Sequence, residues 1–348
     1  VNDTPSMYEI EVNAEYQDIA YGRTERDKWG AWHVSNGVYQ QKKSCFDVTM
    51  SFNEIGARDE SFYAVPASSL FLLGDSFAEG YGVARKDMSE FLIQKNLNLS
   101  ILNFGTGGSF GPLQQLLIYD EYDELPHQGV IIYVLPGNDF TDNDAEIWQA
   151  IDQNRYRPYF SSEGDPLVPY YFPSAVPRDS FAAGVNGVLK QFIKKNFWFS
   201  NALRSVLMVM RGEAYVLSRH NEYTTSFYYD STELQQSNAT LAYEAILDLA
   251  NDKNVLFVII PAKSDIKRHN EDPIPDSYKD RFWYQTLLGF QGRSSQRVEI
   301  LDLMDHVPSQ HQSLFFECDG HWNASGNLWA ANVISHFLRD HNLFIINE

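Results

Sequence analysis

Ser69-Leu70-Phe71-Leu72-Leu73-Gly74-Asp75-Ser76-Phe77 decides the reading of this chain. Five residues, four of them apolar, end at a glycine, the pattern of a short buried strand running into a tight turn. Comparable runs recur downstream: Ser100–Phe104 before Gly105, Gly129–Leu135 before Pro136-Gly137, Asn254–Ile260 before Pro261, and Val298–Leu303. Helical spacing falls between them, at Met88–Leu97, at Pro112–Tyr119, at Ala239–Asp252 with Leu241, Ala245, Ile246 and Leu249 on one face, and in a last helix that Ser325 can cap. Strands that are nearly all apolar and alternate with helices indicate an α/β fold with a parallel sheet covered on both sides.

The rhythm fails in two places. Residues 1–66 are polar, aromatic and without sustained period, and are expected to form an N-terminal arm packed on the core. Residues 141–236 interrupt the alternation as an insertion, leaving 67–140 and 237–348 as the α/β domain. Within the insertion, 184–212 interleaves Lys190, Lys194, Lys195, Arg204 and Arg211 with Phe192, Phe197, Trp198 and Phe199. That stretch reads as a lid over the Ser76 turn, a surface facing a membrane or an anionic glycan, or a helix packed on the core with its bases paired to acids.

Composition removes several classes of function. The 348 residues carry 46 acidic and 27 basic side chains, a net charge of −19, which argues against binding a phosphate backbone or anionic lipid. No run of about 18 apolar residues is present, so no membrane span is expected. Two cysteines, Cys45 and Cys318, are too few for a disulfide scaffold and lack metal-ligand spacing. They form either one bridge, which would pin the arm beside Asp319, or two separate thiols. Asp139, Asp142, Asp144 and Glu146 lack the register of a calcium loop and read as a solvated acidic turn. No motif calls for a metal or cofactor. The start at Val1 fits a chain from which a leader or anchor has been removed.

The chemistry gathers at strand ends, where α/β proteins place reactive groups. Ser76 on its tight turn can present both a hydroxyl and a backbone N–H, but a serine hydroxyl needs a base to attack. Asn103-Phe104-Gly105-Thr106-Gly107-Gly108 can expose N–H groups to an oxyanion, and Asn138 in Gly137-Asn138-Asp139 adds a side-chain amide. Asp319-Gly320-His321-Trp322-Asn323, just before the last helix, offers an imidazole base and a carboxylate to orient it. The other histidines weighed, such as His127 and His220, lack such a context. Asp75 is expected to support the turn through hydrogen bonds. Trp322 and Asn323 either shape the site or cap the helix.

Nucleophile, two oxyanion donors and base, in this order, resemble the four blocks of the SGNH/GDSL hydrolase superfamily. The resemblance covers about 67–140 and 237–348 and implies a flavodoxin-like three-layer α/β/α fold with acyl-transfer chemistry. It implies that Ser76 attacks, His321 is the base and Asp319 orients it. The oxyanion hole would be the Ser76 N–H, the Gly108 N–H (with Gly107 as the alternative) and the Asn138 amide. The family commonly spaces its acid and base as Asp-x-x-His, whereas here the spacing is Asp-x-His. That form, with the upstream Phe52-Asn53-Glu54-Ile55-Gly56-Ala57-Arg58-Asp59, is similar to a branch of exported proteins that includes polysaccharide O-acetylation proteins. The resemblance thus implies a periplasmic, cell-surface or secreted protein, with a membrane anchor in the full-length form as one option. The expected partner is a small-molecule or carbohydrate acyl ester. Hydrolysis of short acyl esters such as acetyl is favoured over O-acyl transfer to polysaccharide. A non-catalytic carbohydrate-binding or scaffold protein is the reading of another class.

Overall fold

The computed structural model describes residues 23–63, 65–108, 110–151, 157–161, 165–171 and 226–345. The basic–aromatic stretch 184–212, and with it the lid reading, lies outside the described residues.

The centre is a five-stranded parallel sheet of β5 (Leu70–Leu73), β6 (Ile101–Asn103), β7 (Gly129–Val134), β8 (Asn254–Ile259) and β9 (Val298–Asp302), in the order β6-β5-β7-β8-β9. All four residues of β5 and all six of β7 are buried, as strands covered on both faces require. Burying each such Leu, Ile or Val contributes roughly 1.5–3 kcal/mol against chain entropy, so the apolar runs hold these strands central. Helices α2 (Ser89–Leu97) and α10 (Ala324–His341) pack on each other, and α7 (Glu233–Ala250) packs on α3 (Pro112–Tyr122) and α9 (Phe282–Phe290). The α/β fold expected from the strand rhythm is present, with flavodoxin-like strand order.

That order fixes where chemistry can sit. β6 and β7 flank β5 on opposite sides, so their following loops diverge and leave a crevice at the carboxyl ends, the usual ligand position in open α/β sheets. Short helices α1 (Ser76–Glu79) and α4 (Pro136–Asp139) begin there.

Several sequence expectations need correcting. The described part of the arm holds two hairpins: β1 (Arg23–Asp27) pairs antiparallel with β2 (Gly30–His33), and β3 (Val38–Lys43) with β4 (Phe46–Ser51). Polar Gln41 stands where an apolar residue would have revealed the alternation. Helix α7 begins six residues before the expected Ala239, because Thr232 and Gln235 form a capping box. The last helix is capped by Asn323, not Ser325: Asn323 Oδ1 accepts from the Ser325 and Gly326 N–H groups at 2.8 and 3.1 Å. The acidic turn after Asn138 is not wholly solvated, since Asp139 and Asp142 are buried. Asp139 Oδ2 accepts from the Leu135 N–H at 2.7 Å and the Tyr243 hydroxyl at 2.6 Å, which turns this carboxyl into a brace between α4 and α7. Cys45 and Cys318 form a disulfide.

Candidate active site

Asp75 caps α1: its Oδ1 accepts the Phe77 N–H at 2.9 Å, the pairing that orders a first helical turn. The cap sets Ser76 as the first residue of α1, directly beyond β5. Asp75 Oδ2 accepts from Asn138 Nδ2 at 3.0 Å, tying the Ser76 turn to the end of β7. Burial pushes the Asp75 carboxyl up to about 6, against the hydrogen bonds from Phe77 and Asn138 and the nearby His321.

The third loop closes over α1 at very short range. A Cβ on Gly105 would stand 2.4 Å from the Glu79 N, and one on Gly107 would stand 2.4 Å from Glu79 Oε2 and 3.3 Å from the Ser76 Cβ. Gly108 adopts φ +81°, which a side chain disfavours. Glycine at 105 is a packing requirement set by backbone, at 107 it leaves room for the Glu79 carboxylate, and at 108 it answers a backbone requirement.

Ser76 Oγ lies 2.6 Å from His321 Nε2. On the far side of the ring, His321 Nδ1 is hydrogen-bonded to Asp319 Oδ1, which also accepts the His321 N–H at 2.9 Å. With the Asp-x-His spacing, one carboxylate oxygen meets both the backbone N–H and the ring of the residue two positions on. Burial alone would raise the Asp319 carboxyl. The His321 ring and the Lys43 ammonium reverse this and hold it well below the usual carboxylate range. Tyr81 stacks on the imidazole, with ring centroids 4.1 Å apart and planes 19° from parallel. Phe77 packs on it from another side at 5.1 Å.

Trp322 is only 1% exposed and packs edge-on to Phe77 and Trp329, so it supports the site from behind. The Asn323 side chain is committed to the helix cap and to the Ser313 and Phe315 carbonyls, both at 2.9 Å, and is not free to shape a binding surface.

Several residues at the site were not singled out from sequence. Lys43 of β3 forms an ion pair with Asp319 Oδ2. Lys263 Nζ, from the start of α8 (Lys263–Glu271), donates to the Phe316 and Asp319 carbonyls at 2.7 and 2.8 Å. Arg58 is buried and donates to the carbonyls of Glu79, Gly80 and Val83 at 2.8, 2.5 and 2.6 Å, gripping the exit of α1. His33 Nε2 is 3.0 Å from Glu79 Oε1 in a buried pair. Asp59 Oδ2 accepts the Asn103 N–H at 2.7 Å and Asp59 Oδ1 pairs with Arg85 at 2.7 Å. The Arg58-Asp59 dipeptide thus braces two of the three strand-end loops. Its adjacency was visible in the sequence, but its targets, 21 to 44 residues away, were not.

A narrow crevice lies beside Ser76, lined by Phe77, Gly80, Tyr81, His321, Trp322 and Asn327. A larger, open depression near Asn254, Gln291 and Arg293 sits at the amino ends of β8 and β9, away from these groups. Among the described residues, no cluster of three or more His, Cys, Asp or Glu could hold a metal ion, and no helix is long and apolar enough to cross a membrane.

No family model matches the chain, and no curated protein matches it. Solved structures similar to it include a putative lipolytic protein of the G-D-S-L family from Desulfitobacterium hafniense, 10% identical with a TM-score of 0.39, covering 77% of this chain and 98% of that one. A salicylyl-acyltransferase from a tetracycline biosynthetic pathway is 11% identical with a TM-score of 0.40, over 90% of this chain and 74% of that one. An acetyl xylan esterase from Butyrivibrio proteoclasticus is 9% identical with a TM-score of 0.36, over 86% and 68%. These are loose likenesses, and the chain's own geometry has to carry any reading of function.

Proposed function

We propose that this chain is a serine-dependent acyl-transfer enzyme of SGNH type, acting on short acyl esters. The observation that carries this reading is the continuous hydrogen-bond path from Ser76 Oγ through His321 to Asp319. In the proposed reaction Ser76 Oγ attacks the ester carbonyl and its proton passes to His321 Nε2. Asp319 stabilises the imidazolium and keeps the ring oriented. The carbonyl oxygen becomes an oxyanion facing the Ser76 and Gly108 N–H groups and the Asn138 amide; Gly107 is the alternative donor. An NH2 group has two hydrogens, and Asn138 spends one on Asp75, so the second is available for this task. The leaving alcohol takes the proton from His321. Water, activated by the same base, then releases the acid; a sugar hydroxyl in its place makes the enzyme an O-acyltransferase.

A short acyl group such as acetyl is the proposed acyl part, and carbohydrate the proposed alcohol part. The bridge between Cys45 and Cys318 supports an exported protein, because such bonds persist in oxidising compartments. A fluorophosphonate probe and a short-chain aryl ester test the reading. The wild type should label at Ser76 and turn over, and Ser76→Ala should lose labelling and at least about 10³-fold in turnover. A folded wild-type sample that neither labels nor turns over would favour a non-catalytic binding protein.

A further inference from the structure

The arm contributes a side chain to the site. Strand β3 alternates, with Tyr39 and Gln41 buried, so Lys43 leaves the hairpin on that same inward face. Gln41 Oε1 accepts the Gly82 N–H at 2.7 Å, and Phe46 of β4 packs on Tyr81 at 5.6 Å and on Phe316 at 4.9 Å. The hairpin thus touches the loop after Ser76 and the loop before His321 together. Cys45, in its turn, is bonded to Cys318, the residue preceding Asp319.

We propose that Lys43 is a positioning residue of the active site, carried by the β3–β4 hairpin and stapled in place by the Cys45–Cys318 bond. The proposal rests on the reading of Ser76 as nucleophile and His321 as base. The Lys43 ammonium pairs with Asp319 Oδ2 while His321 Nδ1 holds Oδ1, so both oxygens of the carboxylate are fixed and it cannot rotate away from the ring. The same ammonium lies 5.6 Å from the centre of the Tyr81 ring, and that ring stacks on the imidazole. Lys43, Asp319, His321 and Tyr81 therefore close a circuit around the base. Only 4% of the Asp319 side chain is exposed, and 23% of the Lys43 side chain, so solvent screens this pair weakly.

The circuit also sets the charge felt by the base. The charged and titratable groups around His321 are Asp319 on its own loop, Asp75 and Tyr81 on either side of α1, Lys43 from β3 and Lys263 from α8. Lys263 holds the backbone carbonyls of the loop, whereas Lys43 sits on the carboxylate itself and offsets the negative charge that stabilises an imidazolium. Removing Lys43 leaves that charge less compensated, so the positive charge that forms on the ring during the reaction is held more strongly.

The test compares wild type, Lys43→Met, Lys43→Arg and Cys45→Ser/Cys318→Ser across pH, with the aryl ester as substrate. Lys43→Met should lower kcat about tenfold with KM within about twofold, because orientation of the base, not substrate binding, is affected. The acid limb of its kcat/KM profile should move up by about one pH unit, and Lys43→Arg should restore it most of the way. The double cysteine variant should shift the limb in the same direction by less. If Lys43→Met only lowers the melting temperature, with the wild-type profile for the folded protein, the proposal is overturned. A Lys43→Met sample that does not fold leaves the double cysteine variant to decide, and an unmoved limb there overturns it. An inert wild type would overturn the nucleophile–base reading as well, which separates the two failures.

Discussion

Ser76 stands one turn beyond a strand whose four residues are all buried, whereas His321 stands on a loop between a 3-10 turn and the last helix. The side of the proposed nucleophile inherits its position from the sheet: β5 is paired on both sides, and Asp75, Arg58 and the glycine loop hold α1 at its end. The side of the proposed base inherits its position from tertiary ties, namely a disulfide, two lysines and an asparagine cap. A site divided in this way draws one half from the core and the other from ties between distant segments. Losing the Arg58 grip on α1 should emerge as lost stability, and losing the Lys43 contact to Asp319 as altered catalysis with the fold kept.

The largest expected effect on the nucleophile side is that of Arg58→Ala. It removes the guanidinium donor from the Glu79, Gly80 and Val83 carbonyls, of which Gly80 keeps the Val83 N–H at 3.3 Å, and should cost about 3 kcal/mol in urea unfolding. A loss under about 1 kcal/mol would show that α1 holds without this grip, and the contrast between the two sides would weaken. Glu90 offers a second handle behind the same loops. Burial, helped by the Asp59 charge, pushes its carboxyl up to about 8 from an ordinary 4.5, with Arg85 working the other way. A raised carboxyl holds its proton more tightly folded than unfolded, so its contribution is full below pH 4.5 and is lost as pH rises through 8. Wild type should therefore lose stability between about pH 5 and 9. Glu90→Gln should be flatter over that range by on the order of 2 kcal/mol, and an identical slope would rule out Glu90 as the source. The smallest effect is expected from Asn323→Ala on the base side, about 1 kcal/mol for the lost cap. Its labelling by the probe should remain; lost labelling at unchanged stability would mean that Asn323 acts on the site directly.

The same contrast explains what could be read from the sequence. The central strands β5, β7 and β8 were legible because their runs are almost wholly apolar, and Ser76, the glycine loop and Asn138 because they directly follow strands. His321 and Asp319 were legible as neighbours two positions apart. Lys43 was not, because a single lysine at the end of a polar hairpin carries no local signal, and its target lies 276 residues on. The hairpin was missed for a related reason: its inward face is made by Tyr39, Gln41 and Lys43, and such a face has no hydrophobic period. Asn323 and Ser325 are equally good cap residues by type, so only the backbone geometry could choose between them. The buried Asp139 was misread because charge patterns say nothing about a tyrosine arriving from another helix.

The bond between Cys45 and Cys318 spans 273 positions and so closes a covalent ring that contains every strand of the parallel sheet. A single proteolytic cut inside that ring opens it without dividing the molecule. Ser76, Asn138 and His321 stay on one covalent body, and the 141–236 segment can be nicked without the two sequence halves of the α/β domain drifting apart. The ring therefore protects the assembly of the site from the main hazard of the proposed exported setting, the loss of chain continuity.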